Sequence, residues 1–552
     1  MCDVRLASPA LFRPVKCHDG EEPDIAARLC STAQRRACWA GHTAQGAPKP
    51  LYSRRIPRGR PSSFYRCLAN SGLPGPGSPA AGQVRSPSGD DITTVTFCSA
   101  TISPGLCIRG ERSRAGARGQ HYSNYSRRSE RPEEASAMPN HAIPPPWVRP
   151  MPEAQFQLMR RILAAPSPVG LEAAMTEGVL CPHFRSFAPE SWQLQRFQGH
   201  AGIVLDTHPG DDERFRLMIV GHADKIRLQV RSIGDDGKVW INSDGFLPAT
   251  LIGHEVRLFT ENPGRPGHYR VIDGGTVEAL GAIHFAEPEL RSGEKGVKKE
   301  QLYLELQVHG DDRKAQVEHL GVRPGDTLLL NRPIRRGFSP NTFYGAYLDN
   351  GLGSFVTAEA ARLLVEAGAP ASIRVLFAIA GYEEIGCFGS RVLAAHYRPD
   401  ALIAVDVEHD YRAAPQVSDR RLPPLEMGKG FSLSVGSIVS EQLNQVIEEG
   451  ARSRGIPSQR DVVGPDTGTD GMAGVLANVD CAAASVGIPI RNMHTISETG
   501  HTSDVLAALH GVVEAALALD AAGTDPEALR RRFREHHPRL DQAAPLRHPG
   551  PA

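Results

Sequence analysis

Residues 372–384 read SIRVLFAIAGYEE. The apolar run from Val375 to Ala380 is too short to cross a membrane and is bounded by polar residues, which predicts a strand buried on both faces. It runs into Gly381 and then the pair Glu383-Glu384. Three neighbours repeat the plan. RFRLMIVGHADK (214–225) is an apolar strand ending in Gly221-His222; DALIAVDVEHD (400–410) carries Asp406; CAAASVGIPI (481–490) leads into RNMHT with His494. Between them lie helical patterns, GSFVTAEAARLLVEAGAP (353–370), SEQLNQVIEEGARSRG (440–455) and the closing SDVLAALHGVVEAALALDAAG (503–523). Apolar strands alternating with amphipathic helices predict an α/β fold, a mostly parallel wound sheet with helices on both faces.

Outward from this frame the texture changes twice. Residues 228–333 are short β-like runs separated by turn signals such as GDDG, NPGRPG and RPGD. They predict a small all-β barrel inserted into the sheet domain. Residues 1–137 hold 20 basic and 11 acidic side chains, net +9, and seven of the ten cysteines; the remainder, with 42 basic and 51 acidic, is net −9. This first segment is rich in Pro, Gly, Ser and Arg without helical or strand period, a composition that buries too little apolar surface to offset chain entropy. It is expected to be disordered. An organelle transit peptide and a cysteine-based metal or nucleic-acid module are the competing readings; its cysteines lack CxxC pairing. We read it as an extension outside the functional protein, with Met138 as the natural first residue. The expected organisation is thus an extension (1–137), the first part of a catalytic domain (138–227), the barrel (228–333), the second part (334–522) and a polar tail with a surface helix (523–552).

The 552 residues carry equal numbers of basic and acidic side chains, and no apolar run is expected to reach the roughly 18 residues a bilayer needs. Neither a membrane nor nucleic acid is an expected partner. Outside the first segment Cys181, Cys387 and Cys481 form no disulfide framework, which with the lack of a secretory signal fits a reducing cytoplasm. Cys387, near the glutamate pair, is read as a packed residue.

Polar residues fall where chemistry is expected. His222, Glu383-Glu384, Asp406 and His494 lie at or past the carboxyl ends of apolar strands, where open α/β sheets place their ligand sites. Asp349 in YLDNGLG precedes a helix. Each placement alone is ordinary. Together they make a nitrogen and oxygen donor set suited to zinc, cobalt or manganese. Two adjacent carboxylates after a buried strand repel unless a cation lies between them. Asp224, two residues after His222 in extended chain, is placed to orient the imidazole. Thr469 and Asp470 in DTGTDGMA are candidate substrate contacts.

The ordered set GHADKI, GVRPGDTLLL, YLDNGLG, GYEEIG, AVDVEHD, GKG, TGTDG and GIPIRNMH resembles the tetrahedral, glutamyl-aminopeptidase-like family of di-zinc metallo-aminopeptidases over about residues 153–520. The resemblance implies one metal held by His222, Asp349 and Asp406, and a second held by Asp349, Glu384 and His494, with Asp349 bridging. It implies Glu383 as general base, Asp224 behind the ligands, the barrel as an oligomerisation domain, and a hollow homo-oligomer, commonly a dodecamer. Lys225 and Asn350 depart from the family pattern, where acidic residues are usual.

The function expected is metal-dependent removal of amino-terminal residues from short peptides. Two divalent ions, zinc first with cobalt or manganese as alternatives, would activate a water from which Glu383 takes a proton. A di-zinc deacylase or carboxypeptidase of related fold is the second reading. A glycosidase needs two carboxylates flanking the scissile bond and generally no metal pair. A binding protein that uses the basic first segment would show salt-dependent affinity.

Overall fold

The computed structural model describes residues 144–199, 201–368, 370–414 and 424–534. The expectations for residues 1–137 and for the end of the tail lie outside the described residues. Seventeen strands are described. In chain order β1 is Gln193–Arg196, β2 Gly202–Asp206, β3 Arg216–His222, β4 Leu228–Ile233, β5 Val239–Ser243, β6 Glu255–Glu261, β7 Tyr269–Glu278, β8 Tyr303–Glu305 and β9 Thr327–Leu330. They are followed by β10 Arg335–Arg336, β11 Thr342–Gly345, β12 Arg374–Ala380, β13 Ala401–His409, β14 Phe431–Val435, β15 Ser458–Val462, β16 Ala482–Ile490 and β17 Glu498–His501.

Eight strands form one sheet in the order β1-β2-β12-β3-β13-β16-β14-β15. Its centre, β12-β3-β13-β16, is wholly parallel; β2 and β14 flank it antiparallel. The expected wound sheet is therefore present, with antiparallel margins. Alternation along each central strand feeds two cores. Leu217 and Ile219, with Phe377 and Ile403, pack under the helices Glu153–Ala164, Leu348–Glu366, Glu441–Arg454 and Thr502–Ala522. Met218 and Val220, with Leu376 and Leu402, pack against the helix Phe388–Tyr397 on the other face. This burial on both sides is what makes the strands read as unbroken apolar runs.

Strands β4-β5-β8-β7-β6-β9 close into a barrel between Leu228 and Leu330. Closure removes sheet edges and lets the inward residues, among them Leu228, Val230, Ile241, Leu258 and Leu304, fill the interior. The barrel core also takes in Tyr347, whose hydroxyl accepts the Leu330 backbone N–H at 2.8 Å. That contact ties the barrel to the segment entering Asp349.

One sequence expectation needs correction. The helix Thr502–Ala522 is long and apolar enough to cross a membrane by length and composition, with mean hydropathy 1.7 over its 18-residue window. It is mostly buried and packs against the helices Leu348–Glu366 and Glu441–Arg454. A helix covered on several sides loses the polar stripe that marks a surface helix. Residues 523–552, expected to carry a surface helix before a polar tail, do contain a helix. The helix Pro526–Arg534 buries Leu529 and Arg530, and Arg530 Nε pairs with Asp400 Oδ1 at 3.2 Å.

Candidate metal centre

The sheet order sets the site. β12, β3, β13 and β16 are consecutive neighbours, and each delivers one or two of the residues singled out above. His222 is the last residue of β3, Glu383 and Glu384 follow β12 by three and four residues, Asp406 lies in the second half of β13, and His494 follows β16. Asp349 comes from the entry to the helix Leu348–Glu366, where its own backbone and that of Asn350 are non-helical and kink the chain. This helix approaches the sheet backbone to backbone. A Cβ on Gly221 would stand 2.6 Å from the Gly353 carbonyl carbon, and one on Gly353 only 2.1 Å from the Val405 oxygen. Glycine at these positions permits the approach that sets Asp349 among the strand ends.

All six ligand and base candidates meet. His222 Nε2 is 3.4 Å from Asp349 Oδ1, 3.5 Å from Glu383 Oε2 and 3.8 Å from Asp406 Oδ2. His494 Nε2 is 3.0 Å from Asp349 Oδ2 and 3.7 Å from Glu384 Oε2. Asp349 thus gives one carboxylate oxygen to each imidazole. The groups His222, Asp349, Glu384 and His222, Glu383, Asp406 each have potential ligand atoms within 4.8 Å of one another.

The electrostatics show what such a cluster lacks. Burial pushes Glu383 up to about 8, with Asp470 and Asp349 adding to the rise. Burial likewise drives Glu384 and Asp406 well above the carboxylate range. Asp349 goes the other way: burial opposes its charge, but both imidazoles outweigh burial and hold it low. Burial pulls His222 down, yet the Glu383 and Asp406 carboxylates leave it raised. The carboxylates are crowded together out of water, and the imidazoles are the positive partners that face them. The Oε1 atom of Glu384 is buried without a hydrogen-bond partner, as expected of an atom shaped to meet an ion. The oxygen and imidazole donors fit a divalent metal of the zinc, cobalt or manganese kind.

Two buried carboxylates hold the ligand segments. Asp224 accepts the backbone N–H of Glu383 on Oδ1 and of Glu384 on Oδ2, both at 3.1 Å. Its carboxylate also stands beside the His222 imidazole, though it is not the nearest oxygen. His222 Nδ1 lies nearer the Asp224 backbone oxygen, at 3.1 Å, than its carboxylate, at 3.4 Å. The carboxylate is turned toward the two glutamate amides. Glu498, which sequence reasoning missed, accepts Leu348 N–H on Oε2 at 2.6 Å and His494 N–H on Oε1 at 2.8 Å. It thereby joins the residue before Asp349 to His494. No sequence signal marks it, because a glutamate among Ser497, Thr499 and Gly500 reads as surface until the fold buries it.

The backbone is bent around the site. Tyr347, Tyr382, Cys387 and His494 all have positive φ, between 56° and 68°. Non-glycine residues in this region concentrate where a site constrains the chain.

Both departures from the family pattern have structural roles. Asn350 Nδ2 donates to the Val405 carbonyl at 2.9 Å while its Oδ1 accepts Gly353 N–H at 2.7 Å. An ionised aspartate, which only accepts, could not do both. Lys225 is buried and donates to the carbonyls of Leu163 and Ala165 at 2.8 and 2.5 Å, which fastens the end of the helix Glu153–Ala164. Burial lowers its ammonium to about 7.

The candidate substrate contacts lie deeper than expected. Thr469 accepts the Gly471 N–H at 3.2 Å and bonds the hydroxyls of Thr467 and Ser485, in a buried network. Asp470 is 2% exposed and accepts the Ser390 hydroxyl. Its ligand atom lies within 4.8 Å of those of Glu383 and Cys387.

Residues 202–510 match the model of the M42 glutamyl aminopeptidases. A lysyl aminopeptidase of Pyrococcus furiosus is 29% identical over 353 residues, 63% of this chain and 93% of that one. A putative aminopeptidase of Acetivibrio thermocellus is 22% identical over 307 residues, 54% and 82% of the two chains. Among solved structures, a TET aminopeptidase from a marine-sediment Thaumarchaeota archaeon shares the fold at TM-score 0.59 and 21% identity, over 68% of this chain and 99% of that one. An aminopeptidase of Desulfurococcus kamchatkensis does so at TM-score 0.57 and 21% identity, over 69% and 98%. Since the family match runs across more than half of the chain and takes in every ligand candidate, this protein belongs to the M42 glutamyl aminopeptidase family and is a metal-dependent aminopeptidase.

Proposed function

We propose that the protein removes amino-terminal residues from short peptides with two divalent ions, zinc by preference and cobalt or manganese as substitutes. His222, Asp349 and Asp406 would hold one ion. Asp349, Glu384 and His494 would hold the other. The observation that carries this reading is the Asp349 carboxylate, which offers one oxygen toward each imidazole, at 3.4 and 3.0 Å. When bound, the ions supply Lewis acidity to the scissile carbonyl and to the attacking water.

This chain's own residues do the rest. Glu383 takes the proton from the attacking water and returns it to the departing amine, serving as base and then as acid. Its neighbour Glu384 points to the other imidazole, so the two adjacent carboxylates divide the labour. Asp224 fixes both by their amides, and Glu498 fixes Leu348 and His494. Preorganisation of this kind means that little rearrangement is needed during the reaction.

The wider reading follows the relatives. One is named a lysyl aminopeptidase, so a basic first residue is the preference to assay first. A Pyrococcus horikoshii relative is described as a dodecamer and as a tetrahedron or octahedral shell, which supports a homo-oligomer here, with the barrel at subunit contacts and a dodecamer as the first size to test. Residence in the cytoplasm fits the three free cysteines among the described residues.

The test is reconstitution. Protein stripped with a chelator should release nothing from unblocked lysyl or leucyl peptides. It should recover on addition of zinc, cobalt or manganese, bind two ions per chain, and leave amino-acetylated peptides intact. A single bound ion at full activity, or equal turnover of blocked peptides, would sink the proposal.

A further inference from the structure

Glu383 also belongs to a second group of donors, whose other members, Cys387 and Asp470, the reaction does not use. Its Oε2 faces His222. Its Oε1 faces the Cys387 sulfur at 3.5 Å, and potential ligand atoms of Glu383, Cys387 and Asp470 all lie within 4.8 Å of one another. The three residues are brought together by the turn after β12. The Cys387 N–H donates to the Glu383 carbonyl at 3.0 Å, and Cys387, at φ 56°, starts the helix Phe388–Tyr397. Asp470 reaches in from the segment before β16, where Ser390 satisfies one of its oxygens.

A packed thiol donating to a carboxylate explains the contact between Cys387 and Glu383. The same single proton also faces the Thr469 carbonyl at 3.6 Å and the Asp470 carboxylate, and it cannot serve all three acceptors. Asp470 is 2% exposed, and its Oδ2 is buried with no hydrogen-bond partner. A buried carboxylate oxygen without a donor is costly unless something cationic meets it. The spacing, which an S–H···O contact also has, leaves room for an ion. A tetrahedral ion with a metal–sulfur bond of about 2.3 Å and a metal–oxygen bond of about 2.1 Å sets sulfur and oxygen about 3.6 Å apart, and the observed separation is 3.5 Å.

We propose that Cys387, Asp470 and Glu383 form a third cation site, selective for a thiophilic divalent ion, whose occupation withdraws Glu383 from the reaction. The thiolate gives the selectivity, because sulfur prefers zinc or cadmium to manganese or magnesium. Binding displaces the thiol proton to solvent and forms one metal–sulfur bond; nothing is oxidised or reduced. With Glu383 Oε1 bound to this ion, the carboxylate can no longer collect a proton from water. The enzyme would thus be active with its catalytic ions filled and arrested by an excess of soft metal. Only the inhibitory consequence rests on the reading of Glu383 as base; the site itself does not.

The test uses the full chain, first loaded with zinc and freed of excess, then titrated with cadmium. Wild type should bind one cadmium ion per chain more than Cys387→Ser. It should also develop an ultraviolet sulfur-to-cadmium charge-transfer band that the variant lacks, and lose at least tenfold in turnover as the band grows. Cys387→Ser should keep its turnover without cadmium within about twofold of wild type. Asp470→Asn, which retains the thiol, should weaken the extra cadmium at least tenfold. Equal cadmium counts in wild type and Cys387→Ser, or a band that survives in Cys387→Ser, would overturn the proposal. So would a wild-type protein with no band, whatever the variants do. The zinc content of Cys387→Ser reports on the catalytic pair, and the cadmium difference reports on the third site, so the two readings fail separately.

Discussion

The two ends of the same central strands treat buried charge in opposite ways. At the amino ends, the buried acids Asp206 and Asp400 have guanidinium partners. Arg374, which opens β12, donates to Asp206 from Nε and Nη2 at 3.0 and 2.7 Å, and to Asp212 at 2.7 Å. Asp400, just before β13, accepts the Arg216 backbone N–H at 2.9 Å and pairs with Arg530 at 3.2 Å. At the carboxyl ends the carboxylates of Asp349, Glu383, Glu384 and Asp406 crowd two imidazoles, and among the described residues their ion-pair partners are His222 and His494. One end is neutralised within the chain and serves stability. The other is left short of positive charge, and the deficit is what draws metal. A buried acid therefore means different things at the two ends, and only the partner tells which.

The contrast can be broken most strongly at Glu383. Glu383→Gln should lower kcat by roughly 10²–10⁴-fold, while metal content, read by elemental analysis, stays that of the wild type. Loss of metal together with turnover would make Glu383 a ligand, and the division between base and ligands would collapse. At the opposite end, Arg374→Met should cost about 3–5 kcal/mol of stability, because Asp206 is left buried without its main partner. The metal-loaded variant should keep its turnover at temperatures where it remains folded. Chemical denaturation and activity assays on the same preparation separate the two effects.

A smaller change is expected at Glu498. Glu498→Gln keeps the size but leaves one acceptor for two N–H groups. It should weaken metal binding by about 10–100-fold, with the ion nearer His494 lost first. Because a merely destabilised protein would lose both ions together, stepwise metal titration distinguishes positioning from folding. Glu498→Asp, which retains both acceptors, should recover part of the affinity.

The mildest test concerns pH. Glu383 and Glu498 are both raised to about 8 by burial, with Asp349 adding to each. A carboxyl raised in the folded protein contributes stability that is present below its unfolded value and is lost as pH rises through its folded value. The melting midpoint of metal-stripped protein should therefore fall as pH rises from about 4.5 to about 8. Adding metal should flatten that fall, since the cations then favour the charged carboxylates. A profile unaffected by metal would mean that these acids are not answered by cations at all.

Much of the catalytic frame was legible in the chain. The apolar runs of β3, β12, β13 and β16 end at the residues that matter, and strand ends are where parallel sheets open their sites. What burial conceals was not legible. The helix Thr502–Ala522 could be read from the chain, but its cover on several sides could not. Glu498 looks like an ordinary surface acid in sequence, and Asp470, singled out there as a substrate contact, gives no sign of how deeply it is buried. Lys225 and Asn350, read as changes of charge beside the site, turned out to hold backbone carbonyls.

The sequence by itself determined the element types, the barrel insertion and which residues could bind metal, because hydrophobic period and residue chemistry are local properties. The tertiary structure alone decided that Asp349 stands between two imidazoles, that Asp224 and Glu498 spend their carboxylates on backbone amides, and that Cys387 and Asp470 flank the far side of Glu383. Those facts depend on strand order and on the close approach of Gly221 to Gly353. They join residues up to some 270 positions apart, a distance over which no local pattern carries information.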